Sequence, residues 1–119
     1  MINKKWWYGM DTISTEELKK KLDSSENFEL VHVLSEREFR KEHIPGSVNI
    51  PLGEIGMRRE ELDKDEEIIV YCKNFECEAS PKAAKKLEKL GFEKVIDYEG
   101  GIEDWKAKGH PVESNESKN

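Results

Sequence analysis

Glu67-Ile68-Ile69-Val70-Tyr71-Cys72-Lys73-Asn74-Phe75-Glu76-Cys77-Glu78-Ala79-Ser80-Pro81 is the stretch on which the fold turns. Glu67 to Tyr71 is the most apolar run of the chain, and it suits a central parallel strand buried on both faces. A polar segment follows from Cys72 to Ala79. Ser80-Pro81 then reads as a helix start, with serine at the cap and proline in the first helical position. Ala83, Ala84, Leu87 and Leu90 share one face of that helix, and Gly91 ends it. A strand thus ends at a cysteine, a loop curls, and a capped helix begins.

The flanking sequence repeats the alternation. Upstream, Ser14-Thr15-Glu16-Glu17 is a capping box that opens a short helix to about Asp23, with Leu18 and Leu22 on one face. Phe28 to Leu34 reads as a buried strand, and Ser35-Glu36-Arg37-Glu38 opens a second short helix. The Pro45-Gly46 pair marks a turn, with a short strand over Ser47 to Ile50. Residues 53–62 suggest a helix weakened by Gly53 and Gly56. Downstream, Lys94 to Tyr98 is a strand, and a last short helix runs from about Ile102 to Lys108. Strands alternating with helices predict an α/β fold, a parallel sheet covered on both faces. Sites in such sheets lie at the carboxyl ends of strands, where Cys72 sits.

The chain has 119 residues, which suits one core. Residues 1–10, with Trp6, Trp7 and Tyr8, form an aromatic lead-in that either packs back or contacts a partner. Residues 113–119 read as a disordered polar tail. Lys and Arg number 20 against 26 Asp and Glu, a formal charge of −6. With no basic stripe, that charge argues against nucleic-acid binding. No apolar run is long enough to span a membrane. No apolar segment follows Lys4 and Lys5, so a signal peptide is not expected, and a reducing, cytoplasmic setting is. Two cysteines in such a setting suggest reactive thiols or a transient bond.

At Cys72, amides of the loop and of the following helix can converge on one anion. Such a cradle favours the thiolate and stabilises an anionic adduct. The alternative is a buried cysteine that merely ends a strand. Cys77 lies in the same loop. A Cys72–Cys77 disulfide is sterically conceivable, and Cys77 would then be a resolving or auxiliary thiol. A zinc site would need two further ligands, and no paired spacing supplies them. A phosphatase cradle would need arginine where Glu78 stands.

Three blocks of the chain resemble the rhodanese-like (sulfurtransferase) family over residues 11–112. The first is Glu38-Phe39-Arg40-Lys41-Glu42-His43-Ile44-Pro45-Gly46-Ser47-Val48-Asn49-Ile50-Pro51, similar to the family's E-F-x-x-x-H-I-P-G-A-x-N-I-P. The second is Ile68-Ile69-Val70-Tyr71-Cys72 with Ala83-Ala84-Lys85-Lys86-Leu87, like the strand, catalytic cysteine and following helix. The third is Gly91-Phe92-Glu93-Lys94-Val95 with Glu99-Gly100-Gly101-Ile102-Glu103-Asp104-Trp105, like G-F-x-x-V and G-G-x-x-x-W. The resemblance implies a three-layer fold with a central five-stranded, mostly parallel sheet. It implies Cys72 as the catalytic residue, accepting sulfane sulfur as a persulfide and passing it to a thiol or other nucleophile. It implies no metal or organic cofactor.

The loop departs from the family's C-x-x-G-x-[RK]. Phe75 replaces the glycine and Cys77 the basic residue. The expected substrate-binding loop is therefore Lys73, Asn74, Phe75, Glu76, Cys77 and Glu78. Its two carboxylates, opposed by Lys73, predict weak thiosulfate binding and a small neutral or bulkier sulfur donor, or a protein persulfide, with a thiol acceptor that can itself be a protein. The family's frequent D-V-R is His32-Val33-Leu34 here. His32 is read as a packed strand residue or a group near the site, and His43 as a support for the Pro45-Gly46 turn. His110 is expected on the surface. The altered loop leaves open an interaction or sensing module without turnover, or a thiol redox protein using Cys72 and Cys77.

Overall fold

The computed structural model describes residues 11–24 and 26–115. Five strands form one all-parallel sheet: β1 (Asp11–Thr12), β2 (Phe28–His32), β3 (Val48–Asn49), β4 (Glu67–Tyr71) and β5 (Val95–Tyr98). Their order is β1-β5-β4-β2-β3, so the apolar run Glu67–Tyr71 is the middle strand. Its last four residues are buried, as a strand covered on both faces requires. The helices are α1 (Thr15–Asp23), α2 (Glu36–Lys41), α3 (Ile55–Arg58), α4 (Ala79–Lys89) and α5 (Gly101–Ala107).

Alternation along the strands divides the core in two. Val31, Val33, Ile68, Val70 and Cys72 pack with Ile55 of α3 and with Ala83, Ala84 and Leu87 of α4. Leu30, Ile69, Tyr71 and Tyr98 face the other way, against Leu18 of α1 and Ile102 and Trp105 of α5. The expected α/β fold, with helices on both faces, is what the chain forms.

Local signals held where a side chain satisfies a helix end. Ser14 and Glu17 make the reciprocal capping box of α1. Ser35 accepts from the Glu38 amide and so caps α2. Other boundaries shifted. Strand β1 is two residues long, too short to give a hydrophobic period, and so leaves no signal in the sequence. The single helix read over 53–62 is a 3-10 turn (Leu52–Glu54), the four-residue α3 and another 3-10 turn (Arg59–Glu61). Gly53 and Gly56 weaken a continuous helix there, and the segment is anchored through buried Ile55 and Leu62. Helix α4 begins at Ala79, with Glu78 at the cap position and no side-chain cap. Ser80 is instead buried inside the first turn. Pro81 is the third helical residue, where a missing N–H still removes no intrahelical bond.

The tail expected from residue 113 begins with anchored residues. The His43 and Glu113 backbones pair in both directions (2.9 and 2.8 Å), and the Asn115 amide donates to the Arg40 carbonyl. Trp6, Trp7 and Tyr8 lie outside the described residues. Among the described residues, no helix is long and apolar enough to cross a membrane.

Candidate active site

Cys72 is the first residue beyond β4 and is 1% exposed. Its backbone is gripped by α5: the Ile102 amide donates to the Cys72 carbonyl (3.1 Å) and the Glu103 amide to the Lys73 carbonyl (2.9 Å). This close approach depends on Gly101, which has φ +66°. A Cβ there would stand 2.5 Å from the Lys73 carbonyl carbon and 2.7 Å from the Cys72 oxygen. Gly101 thus positions the cysteine from 29 residues away in sequence. The Gly100-Gly101 pair was the only sequence signal for it.

A cavity of about 360 Å³ opens over Cys72 and Lys73 at the carboxyl ends of β2 and β4. His32 and Leu34 line it from the β2 side, Glu38, Lys41 and Glu42 from α2 and its end, and Ile102 from α5. Two lysines and two glutamates therefore surround a partly apolar floor. Glu42 is ion-paired with Lys106 at 2.8 Å. Sequence reasoning did not select Glu38, Lys41 or Glu42 for the site, because nothing in α2 itself points to β4.

His32 is buried, with its ring edge-on to Phe39 and to Tyr71 at 5.3 and 5.2 Å. Its Nδ1 accepts from the Leu34 amide at 3.4 Å. Burial, aided by nearby His43, pulls its pKa down from 6.5 to about 4. A neutral imidazole is thus both a packed strand residue and a wall of the cavity. His43 does not hold the Pro45-Gly46 turn through its ring. That ring stacks on Phe39 at 3.9 Å and its Nδ1 bonds the Phe39 carbonyl at 2.8 Å. The turn is held instead by Tyr71, whose hydroxyl accepts from the Ile44 amide (3.0 Å) and meets Ser47 Oγ (2.8 Å). His110 is half-buried and packs on Trp105 at 4.6 Å.

The loop after Cys72 is folded on itself by Asn74. The Asn74 side-chain oxygen accepts from the Glu76 amide (3.0 Å) and its carbonyl accepts from the Cys77 amide (3.1 Å). Two amides expected to face an anion are therefore taken up inside the loop. This turn carries Cys77 back to Cys72, and the two are joined in a disulfide with Cα atoms 6.5 Å apart. Cys77 also packs against the aliphatic cluster that contains Cys72. Of the expected loop residues, Lys73 lines the cavity beside Cys72, whereas Asn74, Phe75, Glu76, Cys77 and Glu78 do not. Glu76 and Glu78 are exposed, and Glu78 pairs with Lys82 at 3.4 Å. Phe75 is 67% exposed and borders a separate hollow of about 460 Å³, beside the start of α1.

The chain that places a cysteine at this strand end, held by the next-but-one helix and opening on a cleft, is similar in sequence to known proteins. The model of the rhodanese-like domain matches residues 14–108. The chain belongs to the rhodanese-like domain family. A rhodanese-like domain protein from Staphylococcus aureus superposes with a TM-score of 0.78 at 29% identity, covering 90% of this chain and 100% of that one. A rhodanese-related protein from Thermoplasma volcanium gives 0.75 at 28% identity, covering 88% and 98%. Among relatives by sequence, the "Putative sulfur carrier protein YrkF" of Bacillus subtilis is 42% identical over 96 residues, 81% of this chain. The thiosulfate sulfurtransferase GlpE of Coxiella burnetii is 31% identical over 90 residues, 76% of this chain and 80% of its own length. The HTH-type transcriptional regulator Rv0324 of Mycobacterium tuberculosis is 34% identical over 103 residues, 87% of this chain. The chain spans about half the length of two of these relatives, 51% of YrkF and 45% of Rv0324. This rhodanese-like domain therefore has relatives named for sulfur carriage and transfer, and at least one named for gene regulation.

Proposed function

We propose that the domain is a sulfurtransferase that carries sulfane sulfur as a persulfide on Cys72 and delivers it to a thiol. The observation that carries this reading is the placement of Cys72: at the end of the central strand, fixed through its backbone by α5, and lining a cavity able to admit a small donor. The names of GlpE and YrkF support the same class of chemistry. The cavity's mixed charges, Lys41 and Lys73 with Glu38 and Glu42, disfavour a small dianion such as thiosulfate. An organic persulfide or a protein persulfide suits them better, and a cytoplasmic thiol, small or on a protein, is the acceptor.

The test begins with reduced protein. Exposure of the Cys77→Ser chain, which has no second thiol to displace an adduct, to thiosulfate, mercaptopyruvate or polysulfide, followed by mass spectrometry, is expected to place one added sulfur on Cys72 with at least one donor. Cys72→Ser is expected to abolish the gain. Failure of all three donors to modify Cys72 removes the reading. A thiol redox role is the second reading, favoured by the Cys72–Cys77 disulfide. A reduction potential far outside the range of cellular dithiols would count against it.

A further inference from the structure

We propose that Cys77 discharges the Cys72 persulfide within the chain, so that bound sulfane sulfur leaves as hydrosulfide and the Cys72–Cys77 disulfide remains. This rests on the reading that Cys72 carries a persulfide, and it adds a second activity: reduction of sulfane sulfur at the expense of an external dithiol.

The juxtaposition comes from the loop. Asn74 closes a turn over Glu76 and Cys77, and that turn brings Cys77 Sγ onto Cys72 Sγ. Cys77 is half-buried against the aliphatic cluster of which Cys72 is a member, so its sulfur packs beside Cys72. A nucleophile tethered this closely acts at a high effective concentration compared with a diffusing thiol. Cys77 meets the sulfur attached to Cβ of Cys72, the inner sulfur of a persulfide. Attack there yields the disulfide, whereas attack on the outer sulfur would only move the sulfane sulfur to Cys77.

The step balances. Cys77 Sγ, as thiolate, bonds to Cys72 Sγ. The bond from Cys72 Sγ to the sulfane sulfur breaks, and its electron pair departs with that sulfur as hydrosulfide. The sulfane sulfur is reduced by two electrons and the cysteine pair is oxidised. The proton lost by the Cys77 thiol goes to solvent or to the departing hydrosulfide. Hydrosulfide, the base of a stronger acid than a cysteine thiol, is the better leaving group. An external dithiol then reduces the Cys72–Cys77 disulfide by thiol exchange and is itself oxidised.

The surroundings favour discharge over storage. Amides that could hold a persulfide anion, those of Glu76 and Cys77, are bonded to Asn74 in the disulfide-closed loop. With Glu76 and Glu78 exposed on either side of Cys77, the loop has no cation of its own beyond Lys73 to retain a persulfide anion. Cys72 also lines the cavity at the ends of β2 and β4, which gives the departing sulfur an open exit.

The experiment compares the reduced full chain with Cys77→Ser and Cys77→Ala under anaerobic conditions. Each is treated with polysulfide, freed of donor by gel filtration and weighed without reductant. The expected result is one added sulfur on Cys72 in both variants. The unsubstituted chain should carry no added sulfur and be lighter than its reduced form by two hydrogens. With limiting dithiothreitol and mercaptopyruvate or thiosulfate as donor, its sulfide release should exceed that of either variant by about tenfold or more. If the unsubstituted chain keeps its added sulfur as the variants do, without a disulfide, the inference is overturned while the persulfide reading stands. If neither variant gains sulfur from polysulfide, mercaptopyruvate or thiosulfate, the persulfide reading falls, and the inference with it.

Discussion

The two faces of the sheet are built from different materials. The α3/α4 face is aliphatic: Val31, Ile68, Val70, Ala83, Ala84 and Leu87 meet with Phe92 as the one buried ring. The α1/α5 face holds Tyr71, Tyr98 and Trp105, and each of these rings also makes a polar contact. Tyr71 bonds the turn at Ile44 and Ser47, Tyr98 meets Thr15 at the start of α1, and Trp105 Nε1 donates to the Pro111 carbonyl at 2.7 Å. Dispersion and burial on the aliphatic face tolerate small shifts, while hydrogen bonds on the aromatic face fix where loops run. Cys72 belongs to both. Its side chain packs in the aliphatic cluster and its backbone is bonded by α5 of the aromatic face. One face thus buries the reactive residue and the other aims it.

The largest expected effect that tests this contrast is Trp105→Ala set beside Leu87→Ala. Removing the indole should cost about 3–5 kcal/mol in urea unfolding, and removing the Leu87 side chain about 2–5. The distinguishing measurement is local. Trp105→Ala frees the Pro111 carbonyl and the packing of His110, so amide exchange at His43 and Glu113 should accelerate. Leu87→Ala leaves a hole without touching that strap. Equal acceleration in both would show that the faces are not separable in this way.

Next is Gly101→Ala, which strikes where the faces meet. A left-handed alanine costs about 1–2 kcal/mol, and overlap with the Lys73 and Cys72 backbone adds to it. A loss above about 2 kcal/mol is expected. In the Cys77→Ser background, where Cys72 keeps its added sulfur, loading should fall with it, because the grip on residues 72 and 73 is lost. Full loading in a folded Gly101→Ala chain would show that α5 does not aim the cysteine.

How much of this was legible follows the same division. The middle strand, the capping of α1 and α2, and the aliphatic face of α4 are local patterns, and they could be read from spacing. Cys72 was found because a strand end and a loop are adjacent in sequence. Contacts that span the sheet left no local trace. Gly101 acts on residues 72 and 73, Tyr71 holds a turn 27 residues upstream, and α2 walls the cavity over Cys72. The loop amides were expected to face an anion, yet Asn74 competes for two of them with its own side chain and carbonyl. The start of α4 was misplaced for a related reason: burial of Ser80 against the core outweighed its preference for a cap.

A smaller effect is expected from acid. The His32 pKa of about 4 lies below the ordinary 6.5, so the unfolded chain binds the extra proton between those values. The stabilisation is fully present above about pH 6.5 and is lost as pH falls towards 4, by up to about 3 kcal/mol. His32→Asn retains an acceptor for the Leu34 amide without the titration. Its urea midpoint should therefore fall less between pH 7 and pH 4.5 than that of the unsubstituted chain, carboxylates being common to both. Parallel falls would place the acid sensitivity elsewhere.

The smallest effect is expected from Tyr71→Phe, and it is the sharpest probe of the aromatic face. The ring stays in the core, so packing is nearly unchanged. Only the hydroxyl goes, which leaves the buried Ile44 amide without its acceptor and Ser47 Oγ with its bond to the Ile44 carbonyl alone. Orphaning one buried donor costs between about 1 and 2 kcal/mol. The loss should appear as faster amide exchange at Ile44 and Ser47, with no change around α4. Val70→Ala, on the neighbouring residue that faces the aliphatic side, should reverse that pattern: more global destabilisation and little selective loosening of the turn. If both substitutions loosen the turn equally, the hydroxyl is not what holds it, and the turn rests on the Pro45-Gly46 backbone and the Ser47 bonds to Ile44.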